Sequence, residues 1–138
     1  MWNTQDGISD IPISNYKYLN DLLSKDDFHA FVALKDKLLI GGLTAYELPM
    51  FKEDVREMFL YEIGVDENYR QKGIAKELID SLKRTCLDKG IKIIFVGTSL
   101  DNPAARQLYK STSGEEEVTA WFTYNLDDEI TAGKNTSR

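Results

Sequence analysis

The chain has 138 residues, 42% of them apolar and 29% charged, the proportions of one ordinary globular domain able to bury a hydrophobic core. A formal net charge of −6 argues against a nucleic-acid phosphate footprint, and no apolar run approaches the roughly 20 residues that a membrane-spanning helix needs. A single His and a single Cys give a zinc site poor support, and Cys86 alone cannot close an internal disulfide, which fits a reducing cytoplasm.

Residues up to about Ile13 lack periodicity and read as an irregular lead without a secretory leader. Ser14 or Asn15 is placed to cap a short helix through Lys25, with Tyr18, Leu19, Leu22 and Leu23 on its apolar stripe. Phe28 to Leu34 is a strand, in which His29 reads as a filler rather than a metal ligand or base. Lys35 to Lys37 turns the chain into a second strand, Leu38 to Leu48, completing an antiparallel hairpin. Gly41 and Gly42 mark a bulge or a close backbone approach within that strand. Pro49 ends it, and Lys52 to Asp54 form a polar loop. Arg56 to Val65 is a third strand, rich in Phe, Tyr, Leu and Ile.

Gly73 to Lys89 carries Ile74, Ala75, Leu78, Ile79, Leu82 and Cys86 at helical spacing, with charged residues opposite. Cys86 falls on the buried stripe and reads as structural, and Gly90 sits where a C-cap belongs. Ile91 to Val96 is a nearly continuous apolar run, as in a strand covered on both faces, so strand, helix and strand form one right-handed crossover. Asp101 or Asn102 before Pro103 starts a helix that runs to about Lys110. Ser111 to Gly114 is a loop, Val118 to Leu126 a last strand, and the polar tail frays. Residues 1–126 thus read as one domain and 127–138 as a tail. The acidic clusters at 53–54, 115–117 and 127–129 are either solvated surface or a negative field that draws in a cation.

The junction before the long helix concentrates the chemistry. Arg70, Gln71 and Lys72 lead into Gly73, Ile74 and Ala75 where the helix begins. The first turn of a helix leaves N–H groups unpaired and carries partial positive charge, so it receives a phosphate wherever the backbone can come close. Gly73 has no side chain to prevent that approach, and Ala75 has almost none. The spacing is neither a Walker loop nor a dinucleotide fingerprint.

Arg70, Gly73 and Ala75 fill in register the hallmark Gln/Arg-x-x-Gly-x-Gly/Ala, and here the chain resembles the GNAT superfamily of N-acetyltransferases. Ile63, Gly64 and Val65 match the strand end that pairs with the pantetheine arm in that family. Asn102 to Tyr109 looks like its second motif, with an Asn, small residues and a Leu-Tyr pair. The resemblance implies an α/β (α+β) fold with a central mixed, twisted sheet, helices on both faces and a V-shaped splay between two parallel strands. It implies acetyl-CoA as cofactor, without a metal. The implied cofactor contacts are Ile63, Gly64, Val65, Arg70, Gln71, Lys72, Gly73, Ile74, Ala75, Asn102, Ala105 and Tyr109. From about Tyr18 to Val118 the likeness extends to small aminoglycoside 3-N-acetyltransferases, through Gly42 to Phe51, Tyr61 to Val65, and Leu108 to Val118. That implies a cationic small-molecule amine as substrate, a cytoplasmic enzyme and a homodimer.

The reaction so implied is direct attack of an amine on the acetyl thioester, which needs a proton acceptor and a proton donor. Tyr109, one turn after Ala105, matches the family's acid; the alternative is a core tyrosine. Strict alternation puts Glu62 with Met58, Leu60 and Gly64, a carboxylate on an apolar face whose burial would raise its pKa into the range of a base. It reads equally as a salt-bridged Glu or as a group that binds the substrate ammonium. Glu47, Glu53 and Asp54 flank the subgroup-like turn and are candidate substrate contacts. Two departures stand out: there is little room before Tyr16 for the family's opening strand and helix, and Ser111 to Gly114 replaces its usual Gly-hydrophobic pair. The rival readings are a GNAT enzyme for a polyamine, peptide N-terminus or small metabolite, and a non-catalytic acyl-CoA-binding module.

Overall fold

The computed structural model describes residues 15–127, so the irregular lead and nearly all of the tail lie outside the described residues. The elements run α1 (Tyr16–Leu23), β1 (Phe28–Lys35), β2 (Leu38–Pro49), β3 (Arg56–Val65), α2 (Ile74–Lys89), β4 (Ile94–Phe95) and α3 (Pro103–Ser111). The four strands form one mixed sheet in the order β1-β2-β3-β4, antiparallel except for the parallel β3–β4 pair.

Local chemistry accounts for most boundaries. The Asn15 side chain caps α1 by accepting the Tyr18 N–H at 2.9 Å. Asp36 and Lys37 both adopt positive φ, the conformation of a tight two-residue hairpin turn, one residue shorter than the sequence suggests. Gly90 closes α2 in the left-handed conformation, as expected of a C-cap glycine. The core lies between the sheet and α2, where Leu43, Ala45, Met58 and Leu60 meet Leu78, Ile79, Leu82 and Cys86. Burial pushes the Cys86 thiol up in pKa, which agrees with a structural residue.

Two expected strands come out differently. β4 is confined to Ile94–Phe95 rather than 91–96: the Ile91 N–H is held by the Cys86 carbonyl at the end of α2, and pairing with β3 stops at Phe59 and Phe95. The segment expected to form a last strand, Val118 to Leu126, joins no strand among the described residues: 114–125 carry no helix or strand. Its aromatic alternation is that of a strand, but a β4 two residues long offers little ladder to join. Trp121 is 77% exposed, and Val118, Phe122 and Tyr124 are similarly bare. Just before it, Arg106 holds Glu116 through Nε and Nη2 at 2.6 and 3.1 Å, and the Glu116 carboxyl is held down to about 2 by these bonds and by Lys110.

Two bulges set which side chains share a face. Between β1 and β2 the register shifts at Ala33/Leu34, leaving Ile40 unopposed beside Gly41. Between β2 and β3, Ala45 faces Leu60 but Thr44 faces Glu62, so Tyr61 is the extra residue. The second bulge reverses the parity of β3. Leu60 and Ile63 pack on the α2 side, whereas Glu62 joins Thr44 on the opposite face.

Candidate active site

β3 and β4 pair only through Met58 with Ile94 and Phe59 with Phe95. β3 then continues to Val65 while the other strand leads away through Val96, Gly97 and Thr98, and between them opens a cleft of about 640 Å³. This is the V-shaped splay. One wall is Tyr61 to Val65, whose edge toward β4 has no strand partner among the described residues. The opposite wall is Val96 to Thr98 with the Asn102, Ala105, Leu108 and Tyr109 face of α3. An extended chain bearing amides can therefore lie against β3 as an added strand.

The end of the cleft is the start of α2. Gln71 and Gly73 both have positive φ, and Gly73 occupies the N-cap position with no side chain to turn inward. The first helical bond runs from the Glu77 N–H to the Gly73 carbonyl, so the preceding N–H groups have no helical acceptor. Ile74, Ala75 and Lys76 line the cleft there, and Arg70 ties the loop to β3 by donating from Nε to the Val65 carbonyl at 3.1 Å. Gly41 sits at a close approach: a Cβ on it would lie 3.2 Å from the Gly64 carbonyl oxygen and 3.3 Å from an Ile74 methyl, tighter than ordinary contact. Free N–H groups, partial positive charge and an open backbone together suit a pyrophosphate.

On the α3 wall, the Asn102 side chain caps the helix by accepting the Ala105 N–H at 3.1 Å while bordering the cleft, so both roles foreseen for it coexist. Tyr109 is half-buried one turn further on, and burial pushes its phenol pKa above the ordinary value. A phenol so placed keeps its proton and can donate it. On the β3 wall stands Glu62, half-buried, with the Thr44 hydroxyl 3.4 Å away.

The family model described as "Acetyltransferase (GNAT) family" matches residues 2–114. The chain belongs to that family. L-2,4-Diaminobutyric acid acetyltransferase of Marinococcus halophilus is 30% identical over 84% of this chain and 69% of its own length. The uncharacterised N-acetyltransferase YycN of Bacillus subtilis is 31% identical, but the chain spans about half of it, 52%. Among solved structures, an aminoglycoside acetyltransferase from an uncultured soil metagenomic sample superposes with a TM-score of 0.76 at 29% identity, over 86% of this chain and 79% of that one. The same protein is known in complex with sisomicin.

Of the residues that the GNAT resemblance implies for the cofactor, all but one border the cleft. The exception is Lys72, whose ammonium lies over the Tyr69 ring at 5.4 Å and faces a smaller hollow against β1. Glu62 comes to the cleft on the face opposite the one that alternation gives, because of the Tyr61 bulge. Glu53 and Asp54 are exposed on the loop before β3, outside the cleft lining.

Glu47 is the clearest displacement among the expected substrate contacts. Only 4% exposed and on the α2 face, its carboxylate meets Lys89 Nζ at 2.5 Å, His29 Nε2 at 2.6 Å and Arg56 Nη1 at 3.2 Å. Burial pushes its pKa up, but the hydrogen bonds from Lys89 and His29 outweigh that and hold it below the usual value. It is a buried structural anion rather than a group facing the cleft, and His29 is its partner instead of a filler. Sequence reasoning also passed over Thr44, Tyr61, Gly97 and Thr98. A small-polar run after an apolar strand is a usable signal for the last two, but the bulge that positions the first two has none.

Proposed function

We propose that this GNAT acetyltransferase transfers the acetyl group of acetyl-CoA to a primary amine of an aminoglycoside, with the 3-amino group as the position implied by its subgroup-like turn. The carrying observation is the cleft itself, which sets an unpaired strand edge and an open helix N-terminus beside the Glu62 carboxylate and the half-buried Tyr109 phenol. Acetyl-CoA, when bound, supplies the thioester. Ile74, Ala75 and the Gly73 turn would hold its pyrophosphate, and Ile63 to Val65 would pair with its pantetheine arm. Glu62 accepts the proton that the attacking amine sheds, and Tyr109 gives its proton to the departing thiolate. Bringing both reactants into one cleft supplies the remainder of the rate.

Support for the acceptor comes from likeness to aminoglycoside acetyltransferases. Those whose names give a position are 6′ enzymes, including that of Salmonella typhimurium at 27% identity. The test is acetyl-CoA-dependent thiol release with an aminoglycoside panel, followed by mass and NMR analysis of the product. Acetylation at the 3-amino group supports the full reading, acetylation at 6′ corrects the position, and no product with thiol release on another amine removes the aminoglycoside. A second acceptor, L-2,4-diaminobutyrate, is favoured by the Marinococcus relative and belongs in the same panel. Substrate-dependent thiol release also separates an enzyme from an acyl-CoA-binding module. A homodimer remains part of this reading, supported by the bare apolar residues at Val118, Trp121, Phe122 and Tyr124, and light scattering tests it.

A further inference from the structure

On the sheet face turned away from α2, aromatic rings follow one another across all four strands. Phe28 meets Tyr46 at 5.1 Å between centroids, Tyr46 meets Tyr61 at 5.7 Å, Tyr61 meets Phe59 at 5.5 Å, and Phe59 stacks on Phe95 at 4.8 Å. Strand register sets Phe28, Tyr46 and Phe59 abreast, and the bulge adds Tyr61 to the row. An antiparallel face that covers nothing ordinarily carries polar side chains. At the β1 end the row is covered, with Phe28 buried and α1 in contact with β1, but toward the cleft Tyr61 stays 48% exposed and Phe95 37%, so the rings at that end do not fill a core.

The row runs into the cleft. Tyr61 and Glu62 are neighbours in the bulge and both border it. Among the described residues Glu62 is also the one carboxylate the cleft lining offers, since Glu47 is buried on the other face and Glu53 and Asp54 lie outside. Aromatic faces favour C–H-rich ring bodies and nearby cations, and a carboxylate beside them fixes an ammonium. A slot of this composition selects its ligand less by counting charges than by the body that carries them.

We infer that the Tyr61–Phe59–Phe95 row is the subsite for the body of the acceptor, seating a cyclic amine against the rings while Glu62 takes its ammonium at the cleft. The inference rests on the acetyltransferase reading of the cleft proposed above. It makes Tyr61 and Phe95 specificity-determining, and it ranks a ring-bearing amine above a linear one.

The test uses the full chain with sisomicin and L-2,4-diaminobutyrate as probes. Specificity is the ratio of kcat/KM for sisomicin to that for diaminobutyrate. Tyr61→Ala and Phe95→Ala, each checked by thermal melting for a folded protein, lower that ratio about tenfold through the KM for sisomicin, whereas Tyr61→Phe shifts it about twofold or less. Two folded alanine variants with an unchanged ratio would overturn the subsite while leaving the acetyltransferase reading intact. Calorimetry of sisomicin against the CoA-saturated protein separates the opposite case: binding without turnover that Tyr61→Ala abolishes keeps the subsite and removes the catalytic reading. Sisomicin that neither binds nor reacts overturns the subsite.

Discussion

Replacing Glu47 by alanine distinguishes a structural anion from a substrate contact. The substitution leaves His29, Lys89 and Arg56 directed at an empty corner under the sheet. Removing one member of a buried charge cluster costs about 3–5 kcal/mol, and because Arg56 and Lys89 retain access to water the lower figure applies. In a domain of this size that corresponds to a fall in Tm of about 10 °C. The pH dependence has a definite sign. The folded carboxyl titrates below its unfolded value, so its contribution is complete above about pH 4.5 and is lost as pH falls through the lower folded value. The gap between wild type and variant therefore narrows in acid. Calorimetric melts from pH 7 to pH 3 measure it, with acceptor KM read at a temperature where both proteins are folded. A variant that melts within about 2 °C of wild type yet shows a raised acceptor KM would refute the assignment and restore Glu47 to the substrate.

Tyr109→Phe should lower kcat by about 10²–10³-fold while CoA affinity, read by calorimetry, changes little, because the ring remains and only the proton is lost. Since burial raises the Tyr109 pKa, the alkaline limb of kcat in the wild type should lie above about pH 10. Gly73→Ala forces a side chain to φ +81°, a strain of about 1–2 kcal/mol at the mouth of the helix, and equilibrium binding should show CoA affinity weakened about tenfold. Gly114→Ala places a Cβ 2.8 Å from the Tyr109 carbonyl oxygen and should cost about 1–3 kcal/mol in denaturant unfolding.

What the sequence made legible was what depends on local chemistry. Asn15, Asn102, Pro103 and Gly90 mark helix ends by their own side chains or by the lack of one; Pro103 and Gly90 sit where they were expected, and the structure selects Asn15 over Ser14 and Asn102 over Asp101. The loop from Arg70 to Ala75 could be read because its residue types and its order between strand and helix are both local facts. What stayed hidden depends on pairing between distant residues. A two-residue turn at Asp36 and Lys37 by itself would set His29 opposite Thr44; the extra Ile40 moves it opposite Ala45, on the face it shares with Glu47. The aromatic alternation of Val118 to Leu126 describes a strand only when a partner edge exists. Lys72 was counted with its basic neighbours, but its direction is set by the Tyr69 ring, which composition cannot show.

The extra residue at Tyr61 also shapes how the enzyme can change. Core-facing Leu60 and Ile63 bracket cleft-facing Tyr61 and Glu62 within four consecutive positions, yet the two pairs answer to different demands. On the acceptor role proposed for them, Tyr61 and Glu62 can be exchanged while the packing beneath α2 stays as it is. Loss of Tyr61 would close the bulge into plain alternation, taking the extra ring from the cleft wall while Leu60 and Ile63 stay in the core and Glu62 stays opposite Thr44.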